Sequence, residues 1–160
     1  MPIVLVRVDE RLLHGQVVIG WGHELRPDRY VLIDDDLAVS EWEQELYGLA
    51  ASGAAEVAFV PVDDARARLA EWRHDRARTI LLVRDIPTAR RLAEGGTLAG
   101  EEINLGGLHH AAGRREMLPY LYVSESDLDD LRAIAASGVD VSARDLPDTA
   151  LVPLATLLEE

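Results

Sequence analysis

At 160 residues the chain has the length of one ordinary domain, and 48% hydrophobic with 28% charged residues is the balance of a folded globular protein. All 16 basic residues are Arg, set against 29 acids for a formal charge of -13, and there is neither Cys nor Lys. Those absences exclude disulfides, thiolate nucleophiles, cysteine metal centres, lysine Schiff bases and the Walker lysine. The acid excess argues against a broad nucleic-acid face. Apolar runs fall short of the ~20 residues of a membrane helix, and residues 1–7 lack signal-peptide order, so a soluble cytoplasmic protein is expected.

In chain order, short apolar runs rich in β-branched residues predict strands at 3–8, 30–33, 56–60, 79–83, 103–105, 120–123 and 139–141. Amphipathic stretches fill the gaps. Val17, Val18, Ile19 and Trp21 read as an apolar helix following the first strand, and Ser40 with Glu43 reads as a capping box opening a helix towards Gly53. Residues 63–75 place Ala65, Leu69 and Trp72 on one buried helical face, and Pro87 and Gly95 bracket a short helix. Ser124 with Asp127 is a second capping box, for a helix ending at Gly138. The rhythm is that of an α/β domain with a mainly parallel sheet, drawn as one domain over 1–160. Trp21, Trp42 and Trp72 are expected in the core, and His23 and His74 at the surface. Charge is uneven: residues 34–62 carry seven acids and no Arg, and residues 62–91 carry eight Arg against five acids. These blocks are either solvated helix faces, or the basic block faces an acidic partner.

Chemistry concentrates where the first strand runs into Asp9-Glu10-Arg11-Leu12-Leu13-His14-Gly15-Gln16. A loop leaving the C-terminal end of a parallel strand is where ligands bind, and a helix start beyond it favours anions. Arg7 and Arg11 offer guanidiniums for a phosphate, and Asp9 could hold one imidazole nitrogen of His14 and leave the other nucleophilic. On residues alone, His14 is either a helix cap or surface imidazole, or a phosphoryl acceptor. Arg7 is either a phosphate clamp or half of an internal ion pair. His109 and His110 with Arg114 and Arg115 form a polar patch, but adjacent histidines without a carboxylate at ligand spacing do not make a metal site, and none is expected.

The run Arg7-Val8-Asp9-Glu10-Arg11-Leu12-Leu13-His14-Gly15-Gln16-Val17, with Trp21 after it, resembles the active-site signature of the IIB component of the mannose/fructose/sorbose family of the bacterial phosphoenolpyruvate-dependent sugar phosphotransferase system. Ile103-Asn104-Leu105-Gly106-Gly107-Leu108 is similar to a second family segment, and Tyr122-Val123-Ser124 with Asp127, Gly138-Val139 and Leu146-Pro147 to a third. One departure is the segment after the second strand, Asp34-Asp35-Asp36-Leu37-Ala38-Val39-Ser40, where the family usually has Asn or Asp.

The resemblance implies a three-layer α/β/α fold with sheet order 3-2-4-1-5-6 and an antiparallel edge strand. It implies a protein-phosphohistidine–sugar phosphotransferase that takes a phosphoryl group from the IIA component and passes it to a sugar held by the membrane components IIC and IID. Such a protein is cytoplasmic or peripheral at the inner face of the membrane, uses no cofactor or metal, and binds no nucleic acid; homo-oligomeric assembly is left open. Nδ1 of His14 would carry the phosphate, with Arg11 as clamp and Asp9 as organiser. Arg7, Gly15, Gln16, Arg84, Gly106 and Gly107 would be further phosphate-binding candidates, with Asp85 beside them. Two other readings stay open: a module phosphorylated in the same way for regulation, and a non-catalytic α/β module binding a phosphate ligand.

Overall fold

The computed structural model describes residues 2–51, 53 and 55–159. Seven strands form the main sheet: β1 (Ile3–Val8), β2 (Arg29–Ile33), β3 (Glu56–Val60), β4 (Thr79–Val83), β5 (Glu102–Leu105), β8 (Asp140–Ala143) and β9 (Val152–Pro153). Their order is β3-β2-β4-β1-β5-β8-β9. All pair in parallel except β9, which runs antiparallel to β8. This is the expected order once the separate antiparallel hairpin of β6 (Arg114–Leu118) and β7 (Leu121–Ser124) is set aside. The predicted strand at 120–123 therefore corresponds to β7 and lies outside the main sheet. Its partner β6 was not predicted, because Arg114, Arg115 and Glu116 give it no apolar alternation.

Alternation along the central strands builds a core on each face of the sheet. Leu81 and Val83 of β4 point to one side, with Leu69 and Trp72 of α3 (Val62–His74), Leu92 of α4 (Ile86–Ala93) and Leu131 of α5 (Glu125–Ala136). Ile80 and Leu82 point to the other, with Leu12, Leu13, Val17, Tyr30 and Leu37. On that second side a six-residue π-helix (Gln16–Trp21) continues into α1 (Gly22–Leu25), and α2 (Glu41–Ala50) follows β2. A short α6 (Leu154–Leu158) closes the described chain over β8 and β9. No described helix is long and apolar enough to cross a membrane.

Helix ends show which local signals operate. Ser124 and Asp127 form the complete reciprocal capping box, and Asp85 accepts from the Thr88 N–H at the start of α4 with Pro87 in its first turn. Two expectations are corrected. Ser40 stands at the start of α2 without a side-chain capping bond; its N–H is given to Leu37 O, and the Glu43 carboxylate faces Arg84 at 4.0 Å instead of closing a capping box. Trp42 is 67% exposed, because α2 turns Tyr47 and Ala50 inward instead.

Candidate active site

Parallel pairing puts β1 between β4 and β5, so the loops that leave these three strands meet at one edge. Backbone bonds stitch them: the Asp9 N–H donates to Val83 O, Gly106 N–H to Val8 O, and Glu10 N–H to Gly107 O. The β1 loop then turns back on itself through the Leu12 N–H to Asp9 O. Leu12 takes φ 54°, a left-handed conformation costly for a side chain with a Cβ, and its fully buried side chain holds it there. Two residues later the His14 carbonyl accepts from the N–H groups of Val17 and Val18, which starts the π-helix at the site.

Asp9 is the hub. Its Oδ2 lies 3.1 Å from Nε2 of His14, 3.2 Å from Nη2 of Arg7 and 3.3 Å from the Gly107 N, while Oδ1 accepts from the Arg11 N–H at 3.1 Å. The carboxylate is fully buried. Burial alone would push its pKa up, but the His14 hydrogen bond, the Arg7 charge and the Arg11 N–H outweigh it, so Asp9 stays below the ordinary carboxylate range and ionised. An ionised carboxylate at Nε2 is an acceptor only, so His14 places its ring proton there in the neutral form. Nδ1 then keeps its lone pair, on a side chain 15% exposed.

Arg7 is fully buried behind Asp9. Its Nη1 donates to Asn104 Oδ1 at 2.5 Å and to Arg144 O at 2.9 Å, and its Nη2 reaches Asp145 O at 3.1 Å. Trp21 stacks beside it at 5.4 Å and donates its own Nε1–H to Asp145 O. Burial draws the Arg7 pKa down, against the pull of Asp9 and Asp145. Of the two sequence readings, the internal ion pair is the one the structure contains. The candidates Gly106 and Gly107 lie against this buried pair. A Cβ at Gly106 would overlap the Arg7 guanidinium, and the N–H groups of both glycines are given to Val8 and Asp9.

Arg11 faces outward, with Nη2 3.2 Å from Gln16 Oε1 and Nε 3.7 Å from Asp9, and its side chain 43% exposed. It is the guanidinium at the mouth of the site, with exposed Gly15 beside His14 in the chain. Arg84 stands on the neighbouring loop, paired with Asp34 at 3.6 Å and with Glu43 at 4.0 Å. Tyr47 of α2 sits among the fields of Arg84, Glu43, Asp34 and Asp9, and burial raises its pKa. On the opposite rim, Glu10 accepts from the His109 N–H at 2.8 Å and meets His109 Nδ1 and Arg114 Nη1, tying the loop after β5 to the β1 loop. Among the described residues no group of three His, Asp or Glu is arranged to hold a metal ion.

Sequence reasoning did not single out Asn104, Asp145, Tyr47 or the Glu10 tie. Only Asn104 carried a signal, as part of the second motif; the others meet the site through tertiary pairing.

Residues 3–160 match the family model described as PTS system sorbose subfamily IIB component. The N-acetylgalactosamine-specific phosphotransferase enzyme IIB component 1 of Escherichia coli K12 is 31% identical over 91% of this chain and 91% of its own length. The fructose-specific EIIB component of Bacillus subtilis 168 is 27% identical over 94% of this chain and 91% of its own. The crystal structure of manxB from Thermoanaerobacter tengcongensis superposes with a TM-score of 0.84 at 32% identity, covering 99% of this chain and 95% of that one.

Proposed function

Because the chain belongs to the sorbose subfamily of phosphotransferase-system IIB components, phosphocarriers that take a phosphoryl group from IIA and deliver it to a sugar, we propose that His14 is the residue on which it carries the phosphate. Nδ1 of His14 attacks the phosphorus of phospho-IIA. A new N–P bond forms as the donor's N–P bond breaks, and the electron pair returns to the donor imidazole. In the second transfer a sugar hydroxyl oxygen attacks the same phosphorus, the pair of the His14 N–P bond returns to Nδ1, and the hydroxyl proton passes to solvent.

The observation that carries this reading is the Asp9 contact at 3.1 Å, which occupies Nε2 and directs the nucleophilic pair to Nδ1. Asp9 also stabilises the positive charge that the ring acquires when Nδ1 is phosphorylated. Arg11, steadied by Gln16, is the clamp for the three phosphoryl oxygens, and the mouth at Gly15 leaves room for the partner. Arg84 joins only if an incoming phosphate displaces it from Asp34 and Glu43. Arg7 acts through Asp9 and is a positioning residue.

The partners on this reading are IIA as donor and the IIC and IID membrane components that present the sugar, which places the chain at the cytoplasmic side of the membrane. On this reading the sugar is selected by the membrane partner, and relatives of this chain are named for N-acetylgalactosamine and for fructose. The test is transfer of labelled phosphate from phospho-IIA. The wild-type chain takes up one acid-labile phosphate and His14→Ala takes up none; stoichiometric labelling of His14→Ala would sink the assignment.

A further inference from the structure

Helix α2 has no fully buried residue, although half of it is apolar. Tyr47 and Ala50 pack inward against the Leu12, Leu32 and Leu37 core. On the opposite side Val39, Trp42, Leu46 and Leu49 are 84%, 67%, 56% and 77% exposed, and they are four of the six large apolar side chains exposed among the described residues. At about 100° per residue, Trp42, Leu46 and Leu49 fall within about 60° of arc, so they form one stripe. A rimmed apolar stripe of this kind on a soluble domain marks a contact surface.

The surrounding charge selects the occupant. The stripe sits in residues 34–62, which hold seven acids and no Arg. Asp34, Asp35 and Glu43 are matched by Arg84 and Arg91, leaving Glu41 and Glu45 exposed along the flank. A second copy docked by two-fold symmetry would set these glutamates against their equals. Anionic lipid would be repelled by the same acids and by a chain of net charge -13. Cytoplasmic loops of integral membrane proteins carry an excess of Lys and Arg, and so supply the opposite charge. The stripe also adjoins the site: Glu43 of the same helix meets Arg84, on the loop beside the Asp9 hub.

We propose that Val39, Trp42, Leu46 and Leu49 form the surface by which this chain docks on the cytoplasmic face of an integral membrane protein, against apolar side chains ringed by Arg or Lys. The inference rests on the carrier reading above for the identity of that partner as the sugar-presenting component. Docking there holds the phosphoryl site towards the acceptor and leaves the Arg11 mouth open to IIA.

The test uses the full chain, its doubly substituted variant Trp42→Gln/Leu46→Gln, the cognate IIA, and membrane vesicles bearing IIC and IID. Both positions are exposed, and circular dichroism verifies that the fold is kept. The variant accepts phosphate from phospho-IIA at the wild-type rate, binds the vesicles at least tenfold more weakly, and phosphorylates sugar with a raised KM for the carrier and an unchanged kcat. Glu41→Lys/Glu45→Lys weakens binding in the same direction, most at low salt. Unchanged vesicle binding overturns the proposal, as does an equal loss of IIA-dependent labelling, a wild-type dimer that dissociates in the variant, or equal binding to protein-free vesicles containing phosphatidylglycerol. A wild-type chain that binds vesicles but carries no phosphate on His14 would sink the carrier reading and leave the docking surface standing.

Discussion

Replacing Arg7 with methionine keeps most of the side-chain volume and removes one charge from a fully buried position. The substitution strands the Asp9 carboxylate, which keeps only the Arg11 and Gly107 N–H groups, His14 and the outlying Arg11 guanidinium. It also strands Asn104 Oδ1 and the carbonyls of Arg144 and Asp145. Breaking one side of a buried pair costs about 3–5 kcal/mol, a large share of the ~5–15 kcal/mol that holds a typical domain. At roughly 2–4 °C per kcal/mol for a chain of this size, the melting temperature falls by about 6–20 °C. The double variant Arg7→Met/Asp9→Asn removes both charges, so it recovers part of that loss, and the non-additivity reports the coupling. Thermal unfolding followed by circular dichroism, with labelling from phospho-IIA on each variant, reads both quantities. A loss under about 1 kcal/mol for Arg7→Met, or strict additivity with Asp9→Asn, would refute the hub described above.

Other expectations follow from single contacts. The depressed pKa of Asp9 contributes stability that is present above its ordinary value near 3.8 and is lost as pH falls through the lower folded value. The stability gap between wild type and Asp9→Asn in urea titrations is therefore full above about pH 5 and closes on acidification; a gap that widens in acid contradicts the sign. Leu12→Ala keeps the φ 54° strain while losing a buried side chain, and costs about 2–5 kcal/mol. Leu12→Gly relieves the strain and is the more stable of the two, a reversal of the usual order that denaturant midpoints detect. Gly106→Ala drives a methyl into the immobilised Arg7 guanidinium and costs about 1–3 kcal/mol in the same assay, whereas Gly15→Ala, with open space around it, stays within about 0.5 kcal/mol.

The central strands and the His14 loop were legible because their signals are local: short apolar runs, the complete capping box at Ser124 and Asp127, and an Asp five residues before a His. Other features were decided by packing. Helix α2 has two apolar faces, and nothing in its spacing says whether Tyr47 and Ala50 or Trp42 and Leu46 turn inward. The β6–β7 hairpin was half visible, since Leu121 and Val123 alternate inward while Arg114–Leu118 is mostly polar. The left-handed Leu12 gave no sign, because such positions are usually read from Gly or Asn. The burial of Arg7 depended on Asn104 of β5 and on the carbonyls of Arg144 and Asp145, some 97 to 138 residues away, which converge only when the sheet is assembled.

The most direct measurement of the central claim is a site-resolved one. The chain, labelled with nitrogen-15 in its histidines and phosphorylated by phospho-IIA, should show a single phosphorus–nitrogen coupling, at Nδ1 of His14, with Nε2 still protonated towards Asp9. Phosphate found on Nε2 of His14, or on any of the other four histidines, contradicts the account.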